Sequence, residues 1–199
     1  GVGKLIKLEH VTFGYVPGKS IIDNFSFEFE ENKTYTICGE NGKGKTTLIK
    51  LILGLLKPEE GMVERKNVSV VGYVPDYNGL YDGLTIKDNI FFRLGIYNKK
   101  VQAVEDKLQE WSKKYALQKY MDTPVKELSL GTQKKAALLC TLLIEPDVLV
   151  LDEPTGGLDK KAKEELVEIL KIYQDKMTII TVTHDEFYRN ALEGQCITI

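Results

Sequence analysis

Polar and apolar residues alternate near the start of the chain. Phe25, Phe27 and Phe29 are separated by Ser26, Glu28 and Glu30, a period of two that predicts a half-buried strand with one aromatic face. Residues 4–12 read as a second strand, and Val16-Pro17-Gly18-Lys19 between them reads as a turn. An antiparallel β layer is therefore expected first. Residues 34–38 predict a short buried strand and residues 47–56 an apolar helix. After the break at Lys57-Pro58-Glu59-Glu60-Gly61, residues 62–65 and 68–74 predict two more strands, and residues 75–84 a loop. Thr85-Ile86-Lys87-Asp88 has the form of a capping box for a helix reaching about Tyr97. Val101, Val104, Leu108, Trp111 and Tyr115 then recur at three- and four-residue steps, the stripe of an amphipathic helix whose apolar face, Trp111 included, packs into a core.

The pattern changes again past residue 130. Helices are expected over 131–144, 160–173 and 184–192, and strands over 147–151, 177–183 and 195–199. Runs such as Val148-Leu149-Val150-Leu151 have no polar face, which suits parallel strands covered on both sides. The expected fold is α/β: a mostly parallel core sheet, an N-terminal antiparallel β layer, and a helical subdomain inserted over residues 77–127. Residues 1–76 and 128–199 together make the core, so residues 1–199 read as a single domain.

Composition narrows the function classes. A chain of 199 residues is long enough to bury a real core. With 27 basic residues against 29 acidic ones, no broad basic field points to nucleic acid. Cys38, Cys140 and Cys196 are odd in number, widely spaced and set in apolar segments, and are expected to be reduced core thiols. The longest apolar run, residues 48–56, is broken by Lys50 and falls short of the ~18 residues that a membrane span needs.

The candidate chemistry centres on Gly39-Glu40-Asn41-Gly42-Lys43-Gly44-Lys45-Thr46-Thr47, which fits G-x-x-x-x-G-K-[ST] between a predicted strand and a predicted helix. In that setting glycines let successive N–H groups point inward, and the helix N-terminus adds positive partial charge. Lys45 can reach the β- and γ-phosphates of a nucleotide, and the Thr46 hydroxyl can ligate Mg²⁺. Gly39, Asn41, Gly42, Lys43, Gly44 and Thr47 complete the expected phosphate cradle.

Two other stretches bear on the same chemistry. Val148-Leu149-Val150-Leu151 runs into Asp152 and Glu153, and ligands of open α/β sheets gather at strand carboxyl ends. Asp152 is suited to hold Mg²⁺ through water, and Glu153 to polarise an attacking water. Leu128-Ser129-Leu130-Gly131-Thr132-Gln133 opens a helix; Ser129 there is either a plain cap or part of an anion-binding turn.

Taken with Asp152-Glu153-Pro154-Thr155-Gly156-Gly157-Leu158-Asp159 and Thr183-His184-Asp185, these motifs resemble those of the ATP-binding cassette (ABC) ATPases, whose core is a P-loop NTPase fold. The resemblance spans nearly the whole chain and implies ATP and Mg²⁺ as cofactors. It implies a head-to-tail dimer in which Ser129 and Gly131 contact the γ-phosphate held by the other subunit's Lys45. Asp159 would lie in the loop that crosses the interface. His184 would contact the γ-phosphate and orient the water near Glu153, and Tyr15 would stack on adenine. Lys45, Glu153 and His184 are then the catalytic set. His10 matches no motif and reads as structural.

The sequence departs from the family pattern in three places. Asp76 stands where a glutamine is usual, so its metal contact is that of a shorter, charged group; Leu130 and Thr132 replace Gly and Gln in the signature; and Gly156 stands where Ser or Asn is common. The first two, with Leu80-Tyr81 and Leu84-Thr85, resemble the short subunits of bacterial drug and peptide exporters of the bacitracin type. The expected function is an ATP-hydrolysing subunit that powers a separate transmembrane permease from the cytoplasmic face of the membrane. Its partners would be a second ABC subunit and the permease, with no nucleic acid. The alternatives are a non-transport ABC ATPase acting on nucleic acid or ribosomes, and a weakly hydrolysing regulatory subunit of a heterodimer.

Overall fold

The computed structural model describes Gly3, residues 5–40 and residues 42–199, with Gly42 and Lys43 described through their backbone alone. Lys4, the expected first strand residue, and Asn41 of the phosphate cradle lie outside the described residues.

Strands β1 (Leu5–Phe13) and β2 (Ile22–Glu30) pair antiparallel, as the alternating phenylalanines require. The third strand of that sheet comes later in sequence: β4 (Glu60–Lys66) joins the other edge of β1, in the order β2-β1-β4. β1 slips register between Glu9 and Thr12 against β4. Gly61 sits against that irregularity at φ +79°, where a Cβ would come within 2.3 Å of the Glu9 and His10 carbonyls. Only glycine fits there.

The second sheet is parallel, with the order β5-β6-β7-β3-β8. Its strands are β3 (Thr34–Cys38), β5 (Val71–Val74), β6 (Val148–Asp152), β7 (Thr178–Val182) and β8 (Gln195–Thr198). Strand β5 is shorter than expected because the Asp147 carboxylate accepts from the Ser69 and Val70 amides at 2.7 and 3.0 Å, drawing both donors out of the ladder. Along β6, Val148 and Val150 face one core, with Ile37, Leu48, Ile52 and the antiparallel sheet. Leu149 and Leu151 face another, with Ala137, Leu138 and Leu166. The unbroken apolar run thus serves two cores, one on each face.

Helix α1 (Gly42–Leu53) follows β3, and α4 (Leu130–Leu142), α5 (Lys160–Tyr173) and α6 (Glu186–Leu192) cover the rest of the parallel sheet. Residues 77–127 hold α2 (Ile86–Ile96), α3 (Val101–Lys114) and two short 3₁₀ turns. Thr85 caps α2 by accepting from the Asp88 amide at 3.0 Å. Trp111 is buried and meets the Tyr173 ring of α5 edge-on, so the stripe on α3 docks this segment onto the core.

The cysteines differ from expectation. Cys38 and Cys196 form a disulfide, and Cys140 alone is a free, buried thiol, which burial pushes up to about 12. The pairing bridges 158 residues of sequence and follows from the adjacency of β3 and β8, which spacing along the chain does not reveal.

Candidate nucleotide site

The parallel sheet brings three chain-distant segments to one edge. β3 leads through Gly39 into α1, and the first turn of that helix already contains Gly42 and Gly44, where a loop was expected up to residue 46. The motif's second half is therefore the helix N-terminus itself, whose positive dipole end favours an anion. Gly39 adopts φ +138° with the Ile199 carbonyl 2.9 Å from where a Cβ would stand, which explains the glycine at the loop's entry.

Lys45 is 1% exposed. Its Nζ donates to the Gly39 carbonyl at 2.7 Å and lies 2.6 Å from Nε2 of His184. His184 itself is largely exposed and stands between β7 and α6, outside the helix expected to begin with it, because Asp185 is the cap: its carboxylate accepts from the Phe187 amide at 3.0 Å.

Strand β6 delivers the two carboxylates. Asp152 is half-buried, and its acid is raised to about 6 by burial and by the neighbouring Asp76 and Glu153, against the pull of Lys134 and Lys45. Glu153 turns sharply at φ +45°, its amide donating to the Val182 carbonyl at 2.8 Å. Its Oε1 lies 3.7 Å from Nε2 of His184, and its Oε2 accepts from the His184 amide at 3.4 Å. Lys45, Glu153 and His184 therefore converge, and Asp152 and Asp76 add negative charge beside them. Hard oxygen donors of this kind fit a divalent cation. Among the described residues no group of three or more His, Cys, Asp or Glu is placed to hold a metal ion by itself.

Tyr15 is 53% exposed; its hydroxyl accepts from Thr47 at 3.4 Å and its ring meets Phe13 edge-on at 5.0 Å. A ring face is thus presented beside the first helix, which core packing would not leave open. Thr46 is exposed at the same helix start. His10 is exposed, with Nδ1 2.9 Å from the Asn24 amide oxygen, and stands apart from this group.

Ser129, Gly131 and Asp159 form a second cluster. Ser129 caps α4, accepting from the Thr132 amide at 3.2 Å, and Asp159 caps α5, accepting from the Ala162 amide at 2.8 Å. The two helix starts touch: a Cβ on Gly131 would meet that of Ala162 at 3.1 Å, and one on Gly157 would meet Leu130 at 2.9 Å. No hydrogen bond among the described residues joins Ser129 to the phosphate loop.

One contributor escaped the motif reading, and another, Asp185, stood inside a motif with no role given to it. Lys134 is buried and donates to the carbonyls of Glu153 at 3.0 Å and Gly156 at 2.9 Å. Burial lowers its ammonium from the ordinary lysine value, while the Asp76, Glu153 and Asp152 carboxylates oppose that shift. A lysine on the same helical face as the apolar Ala137 and Leu138 was the available signal. Asp185 accepts from the Thr155 hydroxyl at 2.7 Å and pairs with Lys163 at 3.0 Å, tying the segment after Glu153 to the start of α6.

Comparison with known proteins now bears on the family. The sequence profile described as "ABC transporter" matches residues 22–156. The chain belongs to the ABC transporter family. As an ABC ATPase it binds and hydrolyses ATP. It is 33% identical over 201 residues to the energy-coupling factor transporter ATP-binding protein EcfA1 of Mycoplasmopsis synoviae, covering 91% of this chain and 74% of that relative. The dimeric ABC cassette MJ0796 superposes with a TM-score of 0.82 at 26% identity, over 98% of this chain and 94% of the other. The same cassette in a post-hydrolysis state bound to ADP and Pi gives 0.81. CbiO1 of Clostridium perfringens, part of the ABC transporter complex cbiONQ, gives 0.77 at 27% identity, over 92% of this chain and 80% of that one. Against these ABC structures the fold of one parallel five-stranded sheet with an antiparallel layer is the shared one.

Proposed function

We propose that two copies of this ABC ATPase, or one copy and a related subunit, close head to tail around ATP and power a transmembrane permease from the cytoplasmic face of the membrane. The convergence of Lys45, Glu153 and His184 carries this reading. Lys45 and the amides of Gly39, Gly42, Lys43, Gly44, Thr46 and Thr47 hold the phosphates, with Asn41 in the same loop, and Tyr15 stacks on the base. Thr46 and Asp152 hold Mg²⁺, with Asp76 beside them. The ion, when bound, neutralises phosphate charge. Glu153 takes the proton of the attacking water, and His184 orients that water against the γ-phosphate. Ser129 and Gly131 of the partner subunit close the site, with Asp159 at the crossing loop. Residues 1–76 and 128–199 act as the ATPase core and residues 77–127 as the helical subdomain.

The permease docks near that subdomain. Support comes from the exposed Tyr81, Phe91, Phe92 and Ile96 there, more apolar surface than a solvated helix needs. Among the described residues no helix is long and apolar enough to cross a membrane. Placement in the bacitracin-type export branch rests on Asp76, Leu130 and Thr132, while the energy-coupling factor relative argues for a different branch. Glu153→Gln is expected to lower turnover by about 10²–10⁴ and to accumulate as an ATP-bound dimer on gel filtration. Hydrolysis by that variant at the wild-type rate would remove the general-base assignment. The regulatory-subunit alternative, motivated by Asp76 and Thr132, predicts no ATPase activity above a Lys45→Ala control.

A further inference from the structure

The turn that carries Glu153 is held from two sides. From β7, the Val182 carbonyl accepts its amide; from α4, the Lys134 ammonium grips its carbonyl and that of Gly156. The same turn is closed internally by the Gly156 amide, which donates to the Glu153 carbonyl at 3.1 Å. Glu153 occupies the left-handed region, which a residue with a side chain keeps only where its surroundings over-determine it. Lys134 supplies much of that determination. Its side chain is buried and lines a small apolar cavity with Val74, Leu138, Leu151, Pro154 and Leu166, and a cation in such surroundings needs the partners it has.

Lys134 also lies on the helix that Ser129 caps. A displacement of the Ser129 turn along α4 is therefore transmitted through one side chain to the backbone of Glu153. We propose that Lys134 is a positioning residue, which holds the turn of residues 153–156 so that the Glu153 carboxylate faces Lys45 and His184, and which ties that carboxylate to the Ser129 end of α4. The proposal rests on the general-base role given to Glu153 above.

The test compares four full-length proteins: wild type, K134M, E153Q and the double variant. Methionine keeps the buried stem volume and removes every donor. Since a small misplacement of a reacting group can cost ~10²-fold, K134M is expected to lower kcat by about that factor with KM for ATP and binding of a fluorescent ATP analogue unchanged. In the E153Q background, read by single-turnover hydrolysis of labelled ATP, the same change is expected to have no further effect. Wild-type turnover by K134M overturns the proposal. So does an equal fractional loss in both backgrounds, which marks a lysine that merely supports the fold. Should K134M fail to fold, K134Q, which keeps an N–H donor, is read by the same two ratios; failure of both to fold also overturns the proposal. A fully active E153Q strikes instead at the general-base reading, whereas an inactive E153Q beside an active K134M strikes at Lys134 alone.

Discussion

The cluster around Lys45 and the cluster around Ser129 are built on opposite terms. In the first, a lysine almost without solvent contact and a carboxylate meet through one imidazole from a third chain-distant segment, 2.6 Å from Lys45 and 3.7 Å from Glu153. In the second, Ser129 and Asp159 are exposed, and each side chain accepts from an amide of its own helix start. Charge that has been buried needs partners in the same subunit, whereas exposed donors at a helix start can wait for one from outside. The difference fits the proposed head-to-tail closure, with the first cluster as a half-site able to bind on its own and the second as a half-site that acts on another molecule.

That contrast can be broken most sharply by mixing. Lys45→Ala and Ser129→Arg should each reduce ATPase activity by at least ~10²-fold alone, as loss of a phosphate or transition-state contact does. A mixture should regain activity, because the mixed dimer reunites an intact Lys45 with an intact Ser129 across one site. ATPase activity of the mixture at or below that of the separate variants would mean that both clusters act within one subunit. A smaller effect is expected at Tyr15. Its replacement by Ala removes a stacking contact worth about 1–3 kcal/mol and should weaken ATP binding, measured by calorimetry, by roughly five-fold or more. Unchanged affinity would return Tyr15 to a packing role against Phe13.

The smallest effect concerns the junction between the clusters. Burial alone would raise the Asp185 acid, but hydrogen bonds from Thr155 and Lys163, the Lys163 charge and the Phe187 amide together hold it below its ordinary value of 3.8. A carboxyl lowered on folding stabilises the fold above its unfolded value, and that contribution is lost as pH falls through the folded value. Melting followed from pH 7 to pH 3 should therefore show a loss of stability below about pH 4 that Asp185→Asn lacks, the variant starting roughly 1 kcal/mol lower at neutral pH.

How much of this was legible beforehand follows from what each signal is made of. The runs at Val148-Leu149-Val150-Leu151 and the alternating Phe25, Phe27 and Phe29 report burial, and burial is what places strands. The phosphate loop was legible as chemistry yet misplaced as structure, because the residues between Gly42 and Lys45 serve both as loop and as first helical turn. Pairings across the sheet were invisible: β4 joins β1, and Cys38 meets Cys196, only once the strand order exists. Lys134 was hidden differently. Its identity broke the apolar face of α4, but what it grips is backbone, and backbone carbonyls leave no mark in a sequence.

The left-handed backbone at Glu153 has a last consequence. A glycine at that position would relax by about 1 kcal/mol, so the chain would be sturdier without the carboxylate proposed as its general base. Variants selected for heat resistance alone should drift toward silence at this one codon, and an active enzyme is evidence that something other than durability has kept the carboxylate in place.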